Sequence, residues 1–231
     1  MKTKTKEILE EVKALLLNGR LQSGEKLTEE ELASRFNVSR TPIREILKSL
    51  EQEGLIETRR KRGIFFRRFT QKEVEEVFDV RSVLEGFAAK LAATRIKKRD
   101  IEQLGRYSRR YMEEQKKGNR RKAEFVDRLF HEKILEISGN TYLSKIVKKV
   151  RMINTSFYLH HDYPPEDPTP YSHERIVEVL KAGVPEECER VVQGHIQWPK
   201  EEILKSMKKS EDTNKEKRRG VRKKKDEKIK F

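Results

Sequence analysis

Apolar and polar positions alternate with helical period in the first part of the chain. Ile8, Val12 and Leu15 recur three and four residues apart and predict a first helix that ends near Asn18. A second apolar stripe follows in LTEEELASRF, residues 27–36, where Thr28 and Glu31 have the capping-box spacing of a helix start. The segment therefore predicts two amphipathic helices.

A third helix is predicted between Asn37 and Leu55. Ser39 is expected to act as its N-cap, Pro42 lies where a missing N–H costs nothing, and Gly54 is a stop signal. The apolar stripe consists of Ile43, Ile46, Leu47 and Leu50, and the neighbouring cationic face consists of Arg40, Arg44 and Lys48. An ordinary surface helix would have the same two faces. The short turn after the second helix, however, favours a DNA-reading helix-turn-helix.

The segment LIETRRKRGIFFRRF, residues 55–69, predicts a β-hairpin beside this helix. Its two strands flank a basic turn that ends at Gly63. The tip is expected to hold Arg59, Arg60, Lys61 and Arg62. The third helix thus gains a basic wing, and Arg60 and Arg62 join the candidates for DNA contact.

The rest of the chain predicts successive helices without strand-like alternation. Breaks fall at glycine–asparagine pairs and at the proline-rich segment DYPPEDPTP. The predicted helices span residues 72–96, 99–117, 120–138, 142–161, 172–182 and 186–205. We therefore predict a mainly α protein: a winged helix-turn-helix domain in residues 1–69 and an all-α antiparallel bundle in residues 70–205.

Charge and composition narrow the function classes. The formal net charge is +15, but more than half of the excess lies in residues 205–231. We expect residues 206–231 to form a basic disordered tail, either a solubilising extension or a weak nucleic-acid arm. No apolar run approaches the length of a membrane span, so we predict a cytoplasmic protein. The single Cys188 suits a core position, and enzyme motifs such as a glycine-rich phosphate loop are absent.

Four ionisable residues fall within apolar stripes of three predicted bundle helices. Such groups are costly in a core unless they are paired or bind a metal. They are Asp127, His131, His173 and His195. A hydrogen-bonded core network is the alternative for any one histidine, but four such groups together favour a divalent metal site for zinc, nickel, manganese or iron. His160 and His161 lie outside such stripes and are expected at the surface.

The core LASRFNVSRTPIREILKSLEQEGLI and the wing glycine resemble the winged-helix DNA-binding domain of the GntR family of bacterial transcription regulators. The resemblance covers residues 5–69. It implies that Arg40 and Arg44 contact guanine edges or phosphates, that Ser39, Thr41 and Pro42 lie at the major groove, and that Gly63 lets the wing approach the minor groove. Glu30 replaces an arginine found in some members, so we assign the second helix no base contact.

The bundle resembles the FCD ligand-binding domain of the FadR branch, through VRSVLEGFAAKLAA, FVDRLFHEKILEISGN, YSHERIVEVL and VVQGHIQ. In metal-binding members the ligands are one aspartate and three histidines, which map onto Asp127, His131, His173 and His195. Six helices resemble the VanR-like subgroup. The matching arginine, Arg81, is implied to hold an effector carboxylate, with Glu85 four residues on as its alternative local partner. Arg151 is a second candidate for effector binding.

These observations favour a ligand-responsive transcription regulator, which we expect to be a repressor. We expect it to bind operator DNA as a homodimer and to respond to a small carboxylate. Two alternatives remain open at the level of sequence. A metalloenzyme would need a general acid or base beyond the metal ligands. A nonspecific nucleic-acid-binding protein would rely on charge alone.

Overall fold

A computed structural model describes residues 3–17, 24–158 and 171–209 of the chain. Within them the protein is mostly helical, with one small antiparallel sheet. The N-terminal elements are α1 (Thr3–Leu17), β1 (Lys26–Leu27), α2 (Glu29–Phe36), α3 (Arg40–Gln52), β2 (Ile56–Arg59) and β3 (Gly63–Phe66). The predicted helix-turn-helix with a hairpin wing is therefore the observed arrangement.

Local signals set the ends of α2 and α3. Thr28 caps α2 by accepting a hydrogen bond from the backbone N–H of Glu31, as the capping-box spacing predicts. Ser39 occupies the N-cap position of α3, but its side chain makes no capping hydrogen bond, so that part of the prediction was wrong. At the other end Gly54 has a φ of 73°, and the N–H of Leu55 bonds back to the carbonyl of Leu50.

The wing is a three-stranded sheet in the order β1-β3-β2. β2 and β3 form the predicted hairpin, with Arg59 opposite Gly63. β1 pairs with β3 through Lys26 and Leu27 and was not predicted. Two residues are too few for an alternating pattern, and only the pairing with β3 makes them a strand.

The C-terminal elements are α4 (Gln71–Ala93), α5 (Lys98–Lys116), α6 (Arg120–Ser138), α7 (Thr141–Tyr158), α8 (His173–Ala182) and α9 (Pro185–Gln197). A further helical segment spans residues 200–209. The predicted helix 186–205 is therefore divided near Pro199, which has no N–H to continue the helical ladder. The described bundle contains this seventh segment, so the count of six behind the VanR-like subgroup does not hold.

The two largest hydrophobic cores of the described residues position the sites. The N-terminal core packs α1, α2 and α3 against the sheet around Ile43, Ile46 and Phe66. The larger core is built on α4 and α9 and includes Phe78, Phe130 and the buried Cys188, whose thiol pKa burial raises to about 11. α1 also contacts α7, which links the two halves.

Several predictions fall outside the described residues: the tail from residue 210 onward, His160 and His161, and the end of the first helix at Asn18. Among the described helices, none is both long enough and apolar enough to cross a membrane.

Candidate DNA-binding surface and metal site

The candidate recognition surface is the exposed face of α3. Its buried face, with Ile43, Ile46, Leu47 and Leu50, fixes the helix on the N-terminal core. Arg40, Arg44 and Lys48 are all exposed on the opposite side. Ser39 and Thr41 are exposed at the start of the helix, beside the half-buried Pro42. The structure thus places the predicted helix residues on one accessible surface.

The wing tip presents further cations. Arg60, Lys61 and Arg62 form the exposed turn between β2 and β3. Gly63 has a φ of 107°, a backbone conformation that favours glycine, whereas the nearest atom to a Cβ there would be Cε of the flexible Lys26 side chain, which can move aside. Arg59, by contrast, pairs with Glu57 and lies over the ring of Phe65. The positive charge of Arg59 is therefore partly neutralised within the wing.

Two recognition-helix arginines pair with acidic residues of α2. Nε of Arg44 donates to Oε2 of Glu29 over 2.8 Å. Nη2 of Arg40 lies 3.4 Å from Oε2 of Glu30. Sequence reasoning missed both contacts, although three consecutive glutamates at the start of α2 were the visible signal.

The second site lies inside the bundle, where α6, α8 and α9 meet. The four predicted metal ligands, Asp127, His131, His173 and His195, each offer one atom, and all four atoms lie within 4.8 Å of one another. All three histidines are buried. The structure therefore brings together every residue of the predicted set.

Short distances within this cluster match what a metal requires. Oδ1 of Asp127 lies 3.1 Å from Nε2 of His173 and 3.5 Å from Nε2 of His131. Nε2 of His131 lies 3.2 Å from Nε2 of His195. Ligand atoms about 2.0–2.1 Å from a zinc ion stand roughly 3.3 Å apart in a tetrahedral site. The donor set and its spacing thus fit a divalent ion.

Hydrogen bonds behind the cluster orient two of the rings. Nδ1 of His131 lies 2.9 Å from Oε2 of Glu85, and Nδ1 of His195 lies 2.7 Å from the backbone carbonyl of Tyr171. A carboxylate and a carbonyl only accept, so both Nδ1 atoms must carry the proton. In the neutral rings each Nε2 then presents a lone pair to the other.

A buried ion network surrounds the cluster. Glu85 accepts from Nε of Arg81 through Oε1 and from Nη1 of Arg151 through Oε2, each over 2.8 Å. Nη2 of Arg151 also donates to Oδ2 of Asp127 over 2.7 Å. Arg81 therefore points into the bundle as predicted, and its observed partner is the local Glu85.

The network decides the ionisation of its carboxyls. Burial alone would raise the pKa of Glu85, but Arg151, Arg81 and His131 outweigh it and hold that pKa well below its usual range. Burial likewise opposes ionisation of Asp127, whose pKa is held well below its usual range by His131, His173 and Arg151. Both groups are therefore carboxylates at neutral pH.

Sequence reasoning missed two parts of this site. Glu85 was considered only as a local partner of Arg81, because its contacts with His131 and Arg151 join distant helices. The contact with Tyr171 is made by its backbone carbonyl, which every residue carries, so the sequence gives no sign of it. Its position depends on Gly194, where a Cβ would lie 2.2 Å from Cε1 of the Tyr171 ring. That glycine in an otherwise regular helix was the available hint.

Comparisons with known proteins identify the architecture. Residues 4–66 match the family described as bacterial regulatory proteins, gntR family, and residues 76–197 match the FCD domain. The chain belongs to the gntR family. The family and the matched relatives are transcription regulators and not enzymes, so the metalloenzyme alternative is not supported.

Individual relatives agree with this gntR assignment. A probable D-xylose utilization operon transcriptional repressor of Paenarthrobacter nicotinovorans is 30% identical, over 78% of this chain and 80% of its own. The Nta operon transcriptional regulator of Aminobacter aminovorans is 30% identical, over 78% and 85%. The solved structure of E. coli McbR/YncC has a TM-score of 0.77 at 22% identity, covering 89% of this chain and 99% of that one. At that identity the last match shows a shared fold alone.

Proposed function

We propose that this gntR-family DNA-binding regulator is a cytoplasmic repressor that a small organic acid controls through a divalent metal in the helical domain. The proposal divides the chain as the sequence does: residues 1–69 bind operator DNA, and residues 70–205 sense metal and effector. Residues 206–231 would add only salt-sensitive affinity. The proposed DNA contacts are Ser39, Arg40, Thr41, Pro42, Arg44, Lys48, Arg60, Arg62 and Gly63.

The observation that supports the metal is the approach of two imidazole nitrogens. Nε2 of His131 and Nε2 of His195 are 3.2 Å apart, while both Nδ1 atoms are committed to acceptors. Two lone pairs at this distance repel each other unless a metal ion or a shared proton lies between them. A metal bound by both, together with His173 and Asp127, removes that repulsion.

Mixed imidazole and carboxylate ligands suit zinc, nickel, manganese or iron. When bound, the ion would supply positive charge, and a metal that accepts more than four ligands would also have room for the effector carboxylate. The hydrogen bonds that Nδ1 of His131 donates to Glu85 and Nδ1 of His195 donates to the Tyr171 carbonyl hold both rings with Nε2 available.

Charge balance supports an anionic effector. Without metal, the two arginines Arg81 and Arg151 are matched by the two carboxylates Glu85 and Asp127. A divalent ion therefore leaves the pocket with excess positive charge, which an organic carboxylate would neutralise. Since both arginines are already paired, we infer that the carboxylate binds the metal first and competes for Arg81 or Arg151.

The proposed side of access to the site lies beside α8. A groove of about 990 Å³ between α5 and α8 is lined by His173 together with Ser108, Arg109 and Val177. His173 thus borders both the groove and the ligand cluster, and we propose the groove as the side from which a small molecule approaches.

Helix α7 is the proposed link from pocket to DNA. It carries Arg151, which contacts Asp127 and Glu85, and it also contacts α1 of the DNA-binding half. An effector that displaces Arg151 would alter how α7 is held and therefore how the two halves are placed.

A homodimer is the proposed assembly, since helix-turn-helix proteins commonly read paired half-sites. One supporting feature is an exposed apolar face on α4. Val80, Val83 and Phe87 lie at helical spacing and are 47%, 62% and 42% exposed. A second copy packed there would remove this surface from water.

Metal analysis with a thermal-shift screen tests the proposal. After reconstitution, the purified full-length protein should hold about one divalent ion per chain, and small carboxylates should raise its melting temperature only with metal present. A ligand at 100 times its Kd adds about 2.7 kcal/mol of stability. His195→Ala should lose both effects.

His160→Ala is the matched control, because the sequence places that histidine outside the core stripes. Less than one ion in the wild type would overturn the metal site. One full ion in His195→Ala would overturn the ligand assignment, and equal carboxylate shifts with and without metal would overturn the effector part.

A further inference from the structure

The contact between Arg44 and Glu29 uses a particular part of the guanidinium. Nε, the nitrogen nearest the chain, donates to Glu29 over 2.8 Å. Arg44 makes no other hydrogen bond to the residues that the structure describes. Its two terminal nitrogens therefore keep their donors, and the side chain is 65% exposed.

Such a half-engaged arginine suits base reading. Two terminal N–H groups in a fixed plane match O6 and N7 of guanine, and this is the commonest specific arginine contact in the major groove. A free arginine side chain loses rotamer entropy when it is fixed in that geometry. A carboxylate bound to Nε fixes the plane of the guanidinium before DNA binds and leaves the two terminal nitrogens available.

Glu29 is well placed for this role. It is the first residue of α2, directly after the Thr28 cap, and its side chain is only 29% exposed. Glu29 and Arg44 line a depression of about 160 Å³ together with Lys48, Thr58 and Ile64. The pair therefore lies where α3 meets the wing strands.

We propose that Glu29 is a positioning residue for sequence reading, which holds Arg44 through Nε and presents its terminal nitrogens to a guanine edge. This inference rests on the proposed assignment of Arg44 to base contact. It goes beyond that assignment because it gives α2 a part in specificity without any DNA contact of its own.

The adjacent Glu30 provides a contrast within one helical turn. Its contact with Arg40 is longer, at 3.4 Å, and joins side chains that are 80% and 58% exposed. It uses a terminal nitrogen, Nη2, which is the atom that would contact DNA. Glu30 therefore competes with DNA for Arg40, whereas Glu29 leaves the reading atoms of Arg44 available.

The test compares Glu29→Gln with Glu30→Gln in the full-length protein. The probes are a duplex selected by the wild type from a random-sequence pool and its scrambled counterpart. Each change removes one negative charge from the same turn, so both should strengthen binding to scrambled DNA. Only Glu29→Gln should reduce discrimination between the probes, by about fivefold or more.

Arg44→Ala distinguishes a failure of the proposed base contact by Arg44 from a failure of the positioning role of Glu29. If Arg44→Ala does not reduce discrimination, the proposed base contact fails. If it does, and Glu29→Gln matches Glu30→Gln, the positioning role alone is overturned. In the Arg44→Ala background Glu29→Gln should have no further effect on discrimination, and an undiminished effect there would also contradict the proposal. Thermal melts confirm that each variant is folded.

Discussion

Arginine–glutamate pairs occur in two opposite environments in this protein. In the bundle, Arg81 and Glu85 have side chains that are 5% and 3% exposed. On the recognition surface, Arg40 and Glu30 are 58% and 80% exposed. A buried charge must find its partner within the fold, whereas an exposed arginine can exchange a carboxylate for a DNA phosphate at little cost. The same pair of residue types is therefore part of a fixed buried network in one half and of an exchangeable surface contact in the other.

The largest expected effect comes from breaking the buried network. Glu85→Gln keeps the shape but leaves Arg81 without its carboxylate and Arg151 with only Asp127. We expect a loss of about 3–5 kcal/mol in the free energy of unfolding, measured by urea denaturation. Adding Arg81→Met should recover part of the loss, because it removes the unpaired buried charge. A loss below about 1 kcal/mol would show that the network is not a matched buried set.

An intermediate effect on stability is expected at Asp100, which is buried but has fewer charged partners than Glu85. Its carboxylate accepts from the backbone N–H of Lys97 at the start of α5 and pairs with Lys133 of α6. Burial acts to raise its pKa, but these two contacts outweigh it and lower the pKa. Asp100→Asn should therefore cost about 1 kcal/mol at neutral pH.

The pH dependence of that effect has a definite sign. Because the pKa of Asp100 is lower in the folded protein than in the unfolded chain, where it is about 3.9, the ionised carboxylate stabilises the folded state fully above that pH. This stabilisation disappears as the pH falls through the folded-state pKa. The difference between wild type and Asp100→Asn should therefore be constant near neutrality and shrink below about pH 4. Glu102→Gln, on the exposed side of α5, is the control. A pH-independent difference would contradict the ionic origin.

The smallest expected effect is at the exposed pair. Glu30→Gln should change the free energy of unfolding by no more than about 0.5 kcal/mol, since both side chains are mostly solvated. Thermal melts at low and moderate salt would measure it. A loss above 1 kcal/mol would mean that the Arg40 contact supports the fold, and the contrast with the buried network would no longer hold.

Sequence reasoning succeeded where the signal was local. The stripe Ile43, Ile46 and Leu50 predicts the buried face of α3, and Gly54 predicts its end, because both depend on residues within one or two turns. It failed at β1 and at the division of the last predicted helix near Pro199. β1 is a strand only through its pairing with β3, and a proline in helical periodicity marks a boundary without showing how the chain continues.

The amino-acid sequence alone determined the helical periods, most helix ends and the candidate metal set, because each ionisable member of that set falls within the apolar stripe of a predicted helix. Tertiary structure decided that α6, α8 and α9 bring Asp127, His131, His173 and His195 to one point. It also decided that Glu85 joins two arginines to one of those histidines, and that Glu29 contacts Arg44. Each of these contacts joins residues far apart in the chain, so it exists only once distant helices have packed together.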